Sequence, residues 1–253
     1  MTFSFPSRLL TAAALALGLA ATTGCATSFT PGRTAGFDVD TAAQIDDEDI
    51  KKAFEARPQL PGQLRVAYYS FDATIAKDLE PALASVPGIS SVYRIPPLLV
   101  SGERRFDEGA FGRPAREVTV KKLRLLAARA HCDALVVVDH GYRGGGANGL
   151  AALNILLVPM LFVPFIDNTT ESYADAYLID TRNGYLYGHV TEDDKRGDKF
   201  VTVYGKGARE VAEEQWKTLR AAMVEDLGKL VAGSKRESEA AKGAAAVGLP
   251  VAR

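Results

Sequence analysis

Cysteine and histidine are scarce in this chain, with only Cys25 and Cys132 and three histidines in 253 residues. That excludes a disulfide framework and argues against a zinc site built from several nitrogen and sulfur ligands. Basic residues are not in excess either. Lys and Arg number 30 against 31 Asp and Glu, so the electrostatic footprint of a nucleic-acid partner is missing. There is no Gly-x-Ser-x-Gly nucleophile elbow and no His-Glu-x-x-His zinc helix. Gly144-Gly-Gly-Ala-Asn-Gly149 has the spacing of a dinucleotide loop, but Pro159 and Pro164 follow where a helix should start. A flexible loop is expected there, and neither an enzyme, a cofactor nor a bound metal. At 47% hydrophobic and 24% charged residues the composition is that of an ordinary globular protein.

What the chain does have begins at its start. Met1 to Arg8 carries one positive charge and no acid, and Leu9 to Ala21 contains only Leu, Ala, Gly and one Thr. Such a run has the length of a signal-peptide apolar core and is too short to span a bilayer as a helix. It ends in Thr22-Thr23-Gly24-Cys25. Small residues before a cysteine at this point resemble the lipobox of bacterial lipoproteins, although Thr22 stands where that pattern usually has Leu. The resemblance implies that residues 1–24 are removed, that the Cys25 sulfur carries acyl chains, and that the protein attaches to a membrane through them. Ala26, in place of Asp, implies the periplasmic face of the outer membrane.

Residues 25–63 read as the lipidated cysteine and a flexible tether, rich in Thr, Gly, Ala, Asp and Pro, with one helical stretch from Asp46 to Ala56. The α/β domain expected at residues 64–232 opens with the β-rich Leu64-Arg-Val-Ala-Tyr-Tyr-Ser-Phe71. Asp72 is a candidate N-cap for a helix ending before Pro87-Gly88. A short strand follows at Ser91 to Ile95. Val120, Leu123, Leu126, Ala127 and Ala130 step by threes and fours, which predicts an amphipathic helix. It runs directly into Ala134-Leu-Val-Val-Val138, apolar enough to lie centrally in a sheet. From Glu171 to Asp180 the residues alternate, Thr181-Arg-Asn-Gly184 supplies turn chemistry, and Tyr185 begins a return strand, so a β-hairpin is expected. Glu192 to Lys199 reads as a solvated loop, and Phe200 to Tyr204 as a short strand. A C-terminal amphipathic helix spans about Ala208 to Val231, and residues 233–253 read as a disordered tail of Ala, Gly, Lys and Glu. The fold class is therefore α/β, a mixed β-sheet flanked by helices.

His131-Cys-Asp-Ala-Leu-Val-Val-Val-Asp139 and Tyr173-Ala-Asp-Ala-Tyr-Leu-Ile-Asp-Thr-Arg-Asn-Gly-Tyr185 resemble segments of periplasmic lipoproteins related to the curli-secretion channel protein. The core is also similar to that of the rhombotarget lipoproteins. Both resemblances imply a fold and a compartment, and they transfer no catalytic residue. The expected role is an interaction or assembly module of the cell envelope, contacting another envelope protein or a second copy of itself. An oligomeric secretion channel or pore is the alternative.

Two features are candidates for the contact. Residues 150–166 are apolar apart from Asn154. They suit a buried crossover, an oligomer contact or, in the pore alternative, membrane insertion, with Leu153, Leu157 and Phe162 as contact residues. Tyr173, Tyr177, Tyr185 and Tyr187 are concentrated on the hairpin, either as a cross-strand ladder or as a partner surface. Asp139-His140 with His189 is the remaining hydrolytic arrangement, lacking a nucleophile. Cys132 is expected to be buried.

Overall fold

The computed structural model describes residues 47–72, 75–101, 118–147, 164, 166–202 and 204–247. In chain order the elements are α1 (Asp47–Glu55), β1 (Leu64–Ser70), α2 (Ala76–Ala84), β2 (Ile89–Arg94), α3 (Pro97–Ser101), α4 (Val120–Arg129), β3 (Ala134–Ala147), β4 (Ile166–Asp180), β5 (Leu186–Arg196) and α5 (Ala208–Val247). The strands form one mixed sheet in the order β2-β1-β3-β4-β5. Strand β1 pairs in parallel with β2, Val66 opposite Val92, and with β3, Val66 opposite Ala134. The tight turn between β4 and β5 makes that pair an antiparallel hairpin, closed by Asp180 N–H to Tyr185 O and Gly184 N–H to Asp180 O. Gly184 has φ +76°, the left-handed conformation its turn position requires. The expected α/β class and hairpin are both present.

The described chain divides into two compact units, each drawing on β3, β4, β5 and α5. The larger takes residues 31–141, 173–193 and 216–253. Side-chain alternation gives its sheet two apolar faces. On one, Val66, Tyr68, Val136, Val138, Ala176 and Leu178 pack against Leu79 and Leu83 of α2 and against Trp216, Leu219, Met223 and Leu227 of α5. On the other, Ala67, Tyr69, Leu135, Val137 and Ile179 pack against Val120, Leu123 and Ala127 of α4, with Cys132 at the margin. The unit is thus a sheet between two helical layers. Cys132 is a buried free thiol, and burial pushes its pKa up.

Local chemistry sets the ends of α4. Thr119 caps it by accepting Lys122 N–H at 3.2 Å. At the other end His131 takes φ +53°, while His131 N–H reaches Ala128 O and Cys132 N–H reaches Ala127 O. This is a Schellman closure with a histidine where glycine is usual. Asp72 does not cap α2 as expected. Its carboxylate lies 3.4 Å from His140 Nδ1, and the residue at the α2 N-cap position is Ile75.

The smaller unit includes residues 142–172 and 194–215. Here β3 continues through Gly144-Gly145-Gly146 to Ala147, the described part of the stretch expected as a flexible loop. Gly144, Gly145 and Gly146 have φ of +123°, +76° and +155°, and a Cβ on Gly144 would stand 2.1 Å from Thr169 O. These glycines make close strand packing possible. Gln215, fully buried, accepts from Ser172 Oγ at 2.7 Å and donates to Thr170 O and Asp194 O. Asn168 accepts Asp198 N–H and donates to Lys206 O. Asn168, Val201, Gly205, Lys206 and Val211 line a half-open hollow of about 330 Å³.

Three further expectations are corrected. Strand β5 continues to Arg196 through what reads as a loop. Val201 makes a single antiparallel bridge to Ile166 in place of a short strand. Residues 233–247 are not a disordered tail, since α5 runs on to Val247 with Ser234 and Ser238 buried. This extension holds the end of the expected tether. Leu60, 2% exposed, donates its N–H to Ser238 Oγ at 3.0 Å. Lys242 and Lys235 donate to Leu60 O and Gly62 O, and Gln59 N–H reaches the Tyr187 hydroxyl. Helix α1 lies within one residue of its expected bounds at each end.

Candidate functional site

The α4 face of the sheet carries a polar, aromatic row beyond its apolar part. Residues 137, 139 and 141 of β3 share a face because strand side chains alternate, and Val137 fixes it as the α4 face. By the same rule Tyr173, Asp175 and Tyr177 of β4 share the face of Ile179. Three contacts of the row cross between strands. The Tyr173 hydroxyl hydrogen-bonds to Asp139, Thr191 Oγ1 donates to Asp175 Oδ1 at 2.7 Å, and His189 stacks on Tyr177 with ring centroids 5.9 Å apart.

Gly141 makes this row possible. A Cβ there would stand 2.6–2.8 Å from the Tyr173 ring and hydroxyl, so only glycine lets the ring lie against β3. Asp139 is 6% exposed and one of its oxygens, Oδ1, is buried without a partner among the described residues. Burial pushes its carboxyl up to about 6, and the nearby Asp175 charge adds to the rise, while hydrogen bonds from His140 N–H and Tyr173 pull the other way. Burial also pushes the Tyr173 hydroxyl up to about 12, with the charges of Asp139 and Asp175 adding to it. The row therefore holds one buried carboxylate, Asp139, with Tyr173, Asp175 and Tyr177 half-buried beside it on the same face.

His140 points to the opposite face. Its ring packs on Trp216 of α5 at 4.7 Å between centroids, and Nδ1 faces Asp72. Nε2 of His140 and Nε1 of Trp216 are both buried without partners among the described residues. Neighbours along a strand cannot act together on one face, so Asp139, His140 and His189 form no hydrolytic set.

The four hairpin tyrosines do not make one ladder. Tyr173 and Tyr177 belong to the row just described. Tyr187 packs against the α5-side core and donates its hydroxyl to Asp180 Oδ2 at 2.8 Å. Burial, reinforced by Asp180, pushes its pKa well up. Tyr185 meets Tyr187 edge-on at 5.0 Å. Cys25, Leu153, Leu157 and Phe162 lie outside the described residues. No described helix is long and apolar enough to cross a membrane.

The Asp139–Tyr173 pairing was not evident from the sequence, since residues 139 and 173 meet only through the register of β3 and β4. The recoverable signal was the parity of 139 and 141 on an otherwise apolar strand, a buried acid followed by an obligatory glycine.

No family model and no curated protein matches the chain. Solved structures align with it at low similarity. The PelC dodecamer from Paraburkholderia phytofirmans is 15% identical, with 67% of this chain and 90% of that chain covered and a TM-score of 0.31. Lipoprotein GNA1162 from Neisseria meningitidis is 16% identical, covering 63% of this chain and 95% of that one, with a TM-score of 0.31. Protein XCC0632 from Xanthomonas campestris is 15% identical over 72% of this chain and 91% of that one, with a TM-score of 0.32.

Proposed function

We propose that this chain is a lipid-anchored envelope protein whose folded body serves as a non-enzymatic interaction or assembly module. It is held at the periplasmic face of the outer membrane through acyl groups on Cys25, and contacts another envelope protein or a second copy of itself. The observation that carries this reading is the apolar run Leu9 to Ala21 ending in Gly24-Cys25. A diacylglycerylated cysteine there is a thioether carrying acyl chains on its glyceryl group, and at ~0.8 kcal/mol per buried CH₂ several chains hold far more firmly than one. The row of Tyr173, Asp175 and Tyr177 supports the interaction part of the reading. Tyrosine gives large contact area at low entropic loss, and these side chains are half-buried.

Feeding cells labelled palmitate tests the anchor. The wild-type chain takes up label and sediments with membranes, whereas Cys25→Ser does neither. An unlabelled wild-type chain that keeps its first methionine and stays with the cytosol overturns the reading.

A further inference from the structure

The buried carboxylate of the sheet row has a consequence for what the surface above it recognises. Asp139 and Asp175 lie close enough for each charge to act on the other, and neither forms an ion pair among the described residues. Two neighbouring carboxylates opposed only in part, by the adjoining His140, are unfavourable in a partly dry site. Thr191 occupies one oxygen of Asp175, and Tyr173 donates to Asp139, whose Oδ1 is left without a donor. The charges of Asp139 and Asp175 act on the hydroxyls of both Tyr173 and Tyr177, and aromatic rings attract cations. We infer that Asp139, Asp175, Tyr173 and Tyr177 form a site for an organic cation, a guanidinium or primary ammonium group, presented by a free amine or by the basic side chain of a partner.

The chemistry favours an organic cation over a metal ion. Calcium takes six to eight oxygens and magnesium a regular octahedron, whereas among the described residues no group of three or more His, Cys, Asp or Glu is placed to hold a metal. A flat guanidinium, in contrast, stacks on tyrosine while its N–H groups reach carboxylates. One N–H would take Asp175, and another would be the donor that Asp139 Oδ1 lacks. The site gives the proposed module a recognition chemistry, yet it does not depend on the Cys25 anchor.

Agmatine, the tripeptide Gly-Arg-Gly and calcium chloride are titrated into the full-length chain in detergent, and into full-length Cys25→Ser, with binding read by calorimetry. Agmatine or the peptide binds both chains equally. Tighter binding of the peptide identifies a partner's side chain as the source, and tighter binding of agmatine a free amine. Asp139→Asn and Asp175→Asn each weaken the preferred probe at least tenfold. Asp139 holds a proton more tightly than an ordinary carboxyl, so wild-type affinity rises by about tenfold from pH 5 to pH 7.5 as that proton leaves. The rise is lost in Asp139→Asn. The titratable groups facing this carboxylate are Tyr173, Asp175 and Tyr177, with His140 adjoining along the strand and His189 stacked on Tyr177. An unchanged pH dependence in Asp139→Asn traces it to another of these and overturns the assignment. Failure of both organic probes, or binding of calcium alone, overturns it as well. Because Cys25→Ser serves as a second host, failure here is separable from failure of the lipid anchor.

Discussion

Replacing Asp139 by Asn should make this protein more stable at neutral pH, the reverse of what most buried substitutions do. The carboxyl is pushed from an ordinary 3.8 to about 6 by burial and by Asp175. A folded-state value above the unfolded one means that the native protein binds the proton more tightly. Stability is then highest when Asp139 is protonated in both states. It declines as pH rises from about 4 to about 6, and stays reduced above that. The shift corresponds to about 3 kcal/mol at neutral pH. Asparagine removes the charge and keeps an oxygen for the Tyr173 hydroxyl, but it places an amide N–H₂ where Oδ1 had no partner, which costs about 1–2 kcal/mol. The net gain at pH 7.5 is therefore about 1–2 kcal/mol. At pH 4, where the wild-type carboxyl is largely neutral when folded, the gain disappears or becomes a small loss. Urea unfolding of both chains at the two pH values measures this directly. An equal difference at pH 4 and pH 7.5, or a variant less stable at pH 7.5, would refute the argument that this charge is buried with only partial compensation.

Ser238→Ala leaves the buried Leu60 N–H without its acceptor and should destabilise by about 1–2 kcal/mol. Hydrogen exchange should accelerate at Gln59 and Leu60, and protection as strong as wild type there would show that the α5 extension does not hold the strap. Gln215→Leu strips Ser172 Oγ, Thr170 O and Asp194 O of their shared partner. A loss of about 2–4 kcal/mol in urea unfolding is expected, and a neutral result would mean that water replaces the amide there.

How much of this was readable without coordinates depended on whether hydrophobic spacing carried the information. The helix stepping through Val120, Leu123 and Ala127 and the apolar run Ala134 to Val138 were legible because each buries a regular set of large side chains. The turn at Arg182-Asn183-Gly184 was legible because only a few residue types adopt positive φ cheaply. The second half of α5 was not. Its inward face past Val231 is made of Ser234 and Ser238, which pack against a strap rather than a core, so the apolar stripe fades while the helix continues. Ala, Lys and Glu, read as the composition of a tail, are also among the best helix formers.

Glycine hid the upper part of β3 in the same way. It has low strand propensity, yet Gly144 and Gly141 are where the neighbouring Thr169 backbone and Tyr173 ring come closest. The pairing of Asp139 with Tyr173 was outside the reach of any local pattern. The separation of Asp139 from His140 was within it, since alternation along a strand already sends them to opposite sides.

On the proposed anchor, the contacts that hold Gln59 to Gly62 would also set the length of the leash. A body anchored as proposed could not pay out chain beyond Pro58, so its range would be governed by the stretch from Cys25 to Arg57 and not by the longer one that composition suggests. With α1 contributing ~13 Å over its nine residues, and fully extended backbone elsewhere, the far limit is roughly 90 Å. Under that proposal, anything this body grips would have to come within that radius, and freeing residues 59–62 from α5 would widen the search by a few residues' worth of chain.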